Sequence, residues 1–107
     1  SLPYRILKLC INDLGNTSSF TYDVEIFSSV QKKWLEISSI SNFEIYQSSR
    51  MKIKYKNSNS ISFLHTLNGS AFALPRILST LLENNQFNSH IRVPKVLIPY
   101  VDFDKIY

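Results

Sequence analysis

The sequence predicts an α+β fold: an antiparallel β-sheet with one long C-terminal helix packed on it. Up to Ser70, segments rich in β-branched and aromatic residues follow one another with short polar stretches between them. Leu74, Ile77, Leu78, Leu81 and Leu82 then recur at the i, i+3, i+4, i+7, i+8 spacing of an amphipathic helix. Val24 and Ile26 lie across a short connection from Trp34 and Glu36, an arrangement that antiparallel pairing satisfies most economically.

Taken in order, Tyr4 to Cys10 is apolar and β-branched enough for a buried strand, and Asn12 to Ser19 is a polar loop containing Gly15. A second strand runs through Tyr22, Asp23, Val24, Glu25, Ile26 and Phe27. Ser28 to Lys33 reads as a hairpin turn, and Trp34 to Asn42 as the third strand. An irregular link from Phe43 to Ser49 leads to a basic strand at Arg50 to Lys56, a polar turn at Asn57 to Ser60 and a fifth strand at Ile61 to Ser70. The helix starts near Leu74, because Pro75 is tolerated only in the first turn, where its missing N–H costs nothing. It ends between Asn84 and Gln86 and gives way to an extended tail at Ile91 to Pro94.

The 107 residues allow one domain with a modest core, and a hydrophobic content of 44% with only two glycines argues against disorder. No apolar run is long enough to cross a membrane, so a soluble globular piece is expected. Cys10, the sole cysteine, cannot form an internal disulfide, and no Cys/His spacing suits a metal, which fits a reduced intracellular compartment. No basic or apolar leader precedes Leu2, an observation that carries no weight for a sequence beginning at Ser1. A net charge of +4 favours an anionic partner such as RNA or ATP without specifying either. In the basic strand, Arg50, Lys52, Lys54 and Lys56 alternate with Met51, Ile53 and Tyr55, giving one cationic face. A solvated outer surface explains that face, with an RNA-contacting strip as the alternative.

Chemistry concentrates in Thr66-Leu67-Asn68-Gly69-Ser70-Ala71-Phe72-Ala73-Leu74-Pro75-Arg76 and the helix that follows. Small side chains let a flat ring approach the backbone, and Arg76 is delivered to a helix start, where free N–H groups also favour anions. A guanidinium stacks on aromatic faces and stays charged, so the segment suits one half of an ATP site.

Ser38-Ser39-Ile40-Ser41-Asn42-Phe43, Gln47, Arg50-Met51, His65-Thr66-Leu67-Asn68-Gly69-Ser70-Ala71, Arg76 and Leu82-Glu83-Asn84 resemble, in order and spacing, the C-terminal part of a class II seryl-tRNA synthetase catalytic domain. Val93-Pro94 with Leu97-Ile98-Pro99-Tyr100 resembles that family's C-terminal end, while Leu2-Pro3-Tyr4-Arg5, Asp13-Leu14-Gly15 and Thr21-Tyr22-Asp23-Val24-Glu25 fit its upstream strands. The resemblance covers nearly the whole chain, 1–107, as an incomplete catalytic domain that includes the third class II motif.

By that resemblance, Glu36 and Ser39 hold Mg2+ against the phosphates of ATP, Arg76 lies over the adenine as the catalytic arginine, and Asn68 and Ser70 read the substrate serine. Glu36 and Ser39 are three apart, so on a regular strand they would point to opposite faces; a bulge at Ile37 to Ser39 is expected. Without the resemblance, Glu36 and Ser39 read as an outward glutamate and a plain strand-end serine, and Arg76 as a solvent-exposed helical arginine near Thr80 or Glu83. Asn68-Gly69 alone reads as a hairpin turn. His65 and His90 lack a partner at a telling spacing and read as structural or surface residues. Phe20, Phe43, Phe63, Phe87, Tyr46 and Tyr55 read as packing groups.

The implied reaction is ATP-dependent activation of serine and its transfer to tRNA(Ser), in a cytoplasmic or organellar homodimer. The family's first two motifs are not in these residues, so the chain alone is expected to be inactive as a ligase. Ile45-Tyr46-Gln47-Ser48-Ser49-Arg50 lacks an acid and an arginine usual in the family, and Asn12 replaces a usual glycine. Two other readings remain open: a non-catalytic synthetase-derived binding module, and a small basic RNA-binding domain resting on Lys52, Lys54 and Lys56.

Overall fold

The structure is a computed structural model that describes residues 2–107. Strand β1 (Tyr4–Lys8) leads through a one-turn 3-10 helix at Ile11–Asp13 to β2 (Phe20–Ser28), which turns into β3 (Lys33–Glu44). Helix α1 (Tyr46–Met51) and the hairpin β4 (Lys54–Lys56) and β5 (Ile61–Phe63) precede β6 (Thr66–Gly69). Helix α2 (Leu74–Asn84) is followed by β7 (Gln86–Phe87), β8 (His90–Arg92), the short α3 (Ile98–Val101) and β9 (Lys105–Ile106).

The main sheet is antiparallel in the order β1-β2-β3-β6, with separate sheets β4-β5 and β7-β8-β9. The α+β prediction holds, as do β2, β3, the Ser28 to Lys33 turn and the helix start at Leu74 with Pro75 in its first turn. The long helix is not the last element, since β7, α3 and β9 follow it.

Other expectations fail, the first being that β1 is a buried strand: every residue of Tyr4–Lys8 except Leu7 is exposed. The basic strand from Arg50 to Lys56 survives only as Lys54–Lys56, because Tyr46–Met51 is helical and Lys52 closes that helix in the left-handed conformation, φ 58°. Gln47 to Met51 contains no β-branched residue, and burial of Ser48, whose hydroxyl donates to Leu64 O, fastens the helix against the chain entering β6. Arg50 folds back over Tyr46, 3.4 Å from the ring centroid, so the four-cation face does not form. The fifth strand, read as Ile61 to Ser70, is two strands in two sheets: Ile61–Phe63 pairs with β4, and Thr66–Gly69 pairs with β3.

Helix α2 covers the sheet face that carries Ile26, the best-buried apolar residue at 2% exposure. Its docking differs from the predicted stripe. Leu74 and Leu78 are exposed, whereas Ile77, Leu81 and Asn84 are half-buried and Thr80 is fully buried. Polar anchors set this rotation. Ser28 Oγ donates to Glu83 Oε2 at 2.6 Å, and Asn84 Nδ2 donates to Phe27 O at 3.1 Å, tying the end of the helix to the end of β2. The same sheet face carries Tyr4, Ile6, Tyr22, Ile40 and Leu67 beyond the helix, all exposed. The molecule is therefore a thin slab, 66 × 33 × 17 Å with a radius of gyration of 19.8 Å. A compact chain of this length would have a radius near ~13 Å.

Ser28 and Thr80 make opposite predictions. Ser28→Ala strands a half-buried carboxylate and the Gln31 N–H that its hydroxyl accepts, so it should lower unfolding stability by about 1.5–3 kcal/mol. Thr80 Oγ1 is buried without a partner, so Thr80→Val, which keeps the shape, should raise stability by about 1 kcal/mol. Urea titrations of the two variants against the parent chain read both changes.

Candidate functional site

The β2–β3 ladder holds one irregularity, and the candidate site is built on it. Glu36 lies opposite Glu25, while Ser38 lies opposite Val24 and Ser39 opposite Asp23, which leaves Ile37 as an extra residue on β3. Residues directly opposite in an antiparallel pair share a face. Thr21, Asp23, Glu25, Glu36, Ser39 and Ser41 therefore share the face turned away from α2, and the bulge expected at Ile37 to Ser39 is present. Glu36 and Ser39 line one open cleft of ≈ 520 Å³, together with Asp13, Asp23, Thr21 and Ser41. The loop after β1 walls it, with Ser18 Oγ accepting from Thr21 Oγ1 at 3.4 Å.

The bulge also sets the position of Arg76. Ala73 N–H donates to Ile37 O at 2.7 Å, which fixes the start of α2, and Arg76 Nη1 then donates to Glu36 O at 2.5 Å. The arginine thus comes round the part of β3 that β6 leaves uncovered. A second cleft, ≈ 640 Å³, is lined by Trp34, Glu36, Pro75 and Arg76. Glu36 is the wall shared by the two clefts. Neither Thr80 nor Glu83 receives the guanidinium; Glu83 is taken by Ser28.

Asn68 is opposite Ser41, and Ser70 N–H donates to Ser39 O at 3.4 Å, so β6 continues the ladder beside the cleft and both side chains share the face of Ser39. Both are exposed, and neither lines the two clefts. Glu36 and Arg76 are therefore brought together, whereas Asn68 sits on the same face but outside their cleft. Asn68-Gly69 forms no turn: Gly69 has no positive φ and lies in the strand opposite Ile40. A Cβ at Gly69 would stand 3.1 Å from Ile40 Cγ1, so its small size serves packing on the opposite face from Asn68 and Ser70.

Sequence reasoning passed over three residues of this face. Asp23 is 8% exposed with Oδ1 unpartnered, aimed into the cleft beside Ser39. Arg5 pairs with Glu25 at 2.5 Å and lies 4.6 Å from the Trp34 ring centroid, neutralising the carboxylate next to Glu36. The period-2 spacing of Thr21, Asp23 and Glu25 is the signal that could have found Asp23 and Glu25. Among the described residues, no group of three His, Cys, Asp or Glu side chains forms a metal cage, and no helix is long and apolar enough to cross a membrane. Cys10 is free and exposed.

An antiparallel sheet backed by a helix, with a polar face of carboxylates, hydroxyls and an arginine at the helix start, has the layout of a class II aminoacyl-tRNA synthetase core. The chain belongs to the tRNA synthetase class II core domain family (G, H, P, S and T), which matches residues 1–85. Within that family it is similar to the serine–tRNA ligase of Salinibacter ruber, 46% identical over 98% of this chain and 25% of that protein. The serine–tRNA ligase of Fusobacterium nucleatum is 48% identical over 94% of this chain and 24% of its own length. Seryl-tRNA synthetase from Pyrococcus horikoshii, solved in complex with ATP, superposes with a TM-score of 0.89 at 35% identity, over 98% of this chain and 24% of that one. The cytoplasmic serine–tRNA ligase of Naegleria fowleri, in complex with AMP, gives 0.86 at 30%, over 98% and 26%. The chain spans about a quarter of the length of these relatives.

A buried carboxylate oxygen without a partner costs stability, a cost tolerated at sites that bind cations. Asp23→Asn should therefore raise unfolding stability by about 1 kcal/mol at neutral pH. Thermal melts in the absence of divalent ions check this, and a loss of stability would show that Asp23 is satisfied within the chain.

Proposed function

We propose that this chain supplies the cation, nucleotide and part of the serine site of a serine–tRNA ligase, acting with further class II core elements. The reaction is activation of serine by ATP to an adenylate, followed by transfer to the 3′ end of tRNA(Ser). What carries the reading is the bulge at Ile37, which turns Glu36 and Ser39 to one face beside Asp23. A carboxylate, a hydroxyl and a second carboxylate are hard oxygen donors, and Mg2+ takes few protein ligands because it keeps waters and phosphate oxygens. The donor set fits Mg2+, which Glu36 and Ser39 would hold and which would supply positive charge to the phosphates of ATP.

Arg76, held at the cleft by Glu36 O, offers its guanidinium plane to the adenine. Asn68 and Ser70 face the same side and offer a donor, acceptors and a hydroxyl to the amino and hydroxyl groups of serine. Catalysis in such a site is positioning and charge stabilisation while the serine carboxylate attacks the α-phosphate and the bond to the β-phosphate breaks, releasing pyrophosphate. The relatives solved with ATP and AMP support the nucleotide assignment. The row Tyr4, Ile6, Tyr22, Ile40 and Leu67 is the surface that further core elements would cover. The complete enzyme is a homodimer in the cytoplasm or an organelle in this reading.

Grafting residues 2–107 in place of the matching quarter of the Salinibacter ruber ligase should preserve serine-dependent ATP–pyrophosphate exchange. Within that chimera, Glu36→Gln should lower exchange about a hundredfold. The 107-residue chain alone should show no exchange. An active chimera indifferent to Glu36→Gln contradicts the assignment of Glu36.

A further inference from the structure

The reading above gives cation-holding roles to Glu36 and Ser39 and none to Asp23, which lines the same cleft. Asp23 lies opposite Leu7 on β1 and opposite Ser39 on β3, so the three form one row on the face turned away from α2. Leu7 has no polar side-chain atom to offer its neighbour. Arg5, two residues before Leu7, is committed to Glu25 and to the Trp34 ring. Thr21, two residues before Asp23 on the same face, engages Ser41 Oγ at 2.7 Å and Ser18 Oγ at 3.4 Å. Asp23 is left 8% exposed, with Oδ1 unpartnered among the described residues, whereas the Glu36 side chain is open to solvent.

A buried carboxylate is paired with a cation or coordinates a metal, because stripping its water without replacement is costly. The neighbours of Asp23 suit the second case. Ser39 beside it is a hard oxygen donor, and the bulge at Ile37 turns Glu36 to the same side. Apart from Leu9 and Phe43, the walls of the cleft are polar or glycine, with hydroxyls from Thr17, Ser18, Thr21 and Ser41. Hydroxyls accept hydrogen bonds from the waters that a small divalent ion retains, whereas the aliphatic stem of a lysine or arginine needs apolar cover. Among the described residues no three His, Cys, Asp or Glu side chains form a closed cage. Two carboxylates and a hydroxyl leave the open positions that Mg2+ fills with water and phosphate.

We infer that Asp23 is a third cation-holding residue, and that with Glu36 and Ser39 it lets this cleft take a divalent cation before any nucleotide arrives. The inference rests on the proposed cation-holding roles of Glu36 and Ser39 and on nothing else in the ligase reading. Strand register fixes Asp23 beside Ser39, and the bulge fixes Glu36, so the donors are assembled by the fold rather than gathered by ATP. A cation that binds the folded chain through Asp23 offsets the cost of burying that carboxylate.

The probe is Mn2+, which shares the oxygen ligands of Mg2+ and whose electron paramagnetic resonance signal reports the free ion. Titrated without nucleotide, the 107-residue chain should bind one Mn2+. Asp23→Asn, close to isosteric, should weaken that binding about tenfold or more. Asp13→Asn removes a carboxylate from the same cleft that already accepts from the Cys10 thiol, and should cost only about twofold. In thermal melts, the lead of Asp23→Asn over the parent chain without divalent ions should shrink as Mg2+ is added. The same titrations in the Salinibacter ruber chimera read the effect in a complete ligase. Absence of Mn2+ binding without nucleotide, equal affinity of parent and Asp23→Asn, or a melting difference independent of Mg2+ overturns the inference. Binding lost in Glu36→Gln but kept in Asp23→Asn also overturns it, and leaves the ligase reading standing. Binding lost in Asp23→Asn but indifferent to Glu36→Gln supports the role of Asp23 and contradicts that of Glu36.

Discussion

One extra residue, Ile37, organises the polar face of this sheet and the start of α2. In a regular ladder Glu36 and Ser39 would lie on opposite faces, and no cation could meet both. The bulge brings them to the same side beside Asp23, buries the Ile37 side chain, and leaves its carbonyl free for Ala73 N–H. That last bond places the first turn of α2, and the Glu36 carbonyl then receives Arg76. A local irregularity in pairing thus sets both the carboxylates and hydroxyls that line one cleft and the arginine that lines the next. Bulges bend and twist the strand that carries them, which explains why they recur beside sites.

The rest of the fold is lean. Only Ile26, Ile37 and Val93 are buried apolar residues among the described part of the chain, and α2 is held in place as much by Ser28, Glu83 and Asn84 as by Leu81 and Leu82. A slab 17 Å thick has room for a sheet and one layer of helix. Its second apolar strip, from Tyr4 to Leu67, lacks a partner within these residues, in keeping with a chain that spans about a quarter of its relatives.

How much of this was legible depended on whether a feature is local. The strands β2 and β3 and the start of α2 could be read because alternation, a short turn and Pro75 are neighbours in sequence. The bulge could be expected because the resemblance demanded that Glu36 and Ser39 meet. Helix α1 was missed because the alternation of Lys52, Ile53, Lys54 and Tyr55 masks Tyr46–Met51, and the deciding contact, Ser48 to Leu64, spans sixteen residues. Thr80 looked like a residue of the polar side until the anchors at Ser28 and Phe27 turned the helix. Asp23 emerged as part of the site only once its strand was registered against Ser39.

The register at Ile37 is the claim on which the account most depends, and cross-strand disulfide trapping measures it directly. In a Cys10→Ser background, cysteine pairs at Glu25 with Glu36 and at Asp23 with Ser39 should both oxidise readily within one chain, while Glu25 with Ile37 should not. If Glu25 links to Ile37 and not to Glu36, with Asp23 still linking to Ser39, the strand has no bulge; Glu36 and Ser39 then face opposite sides and the site dissolves.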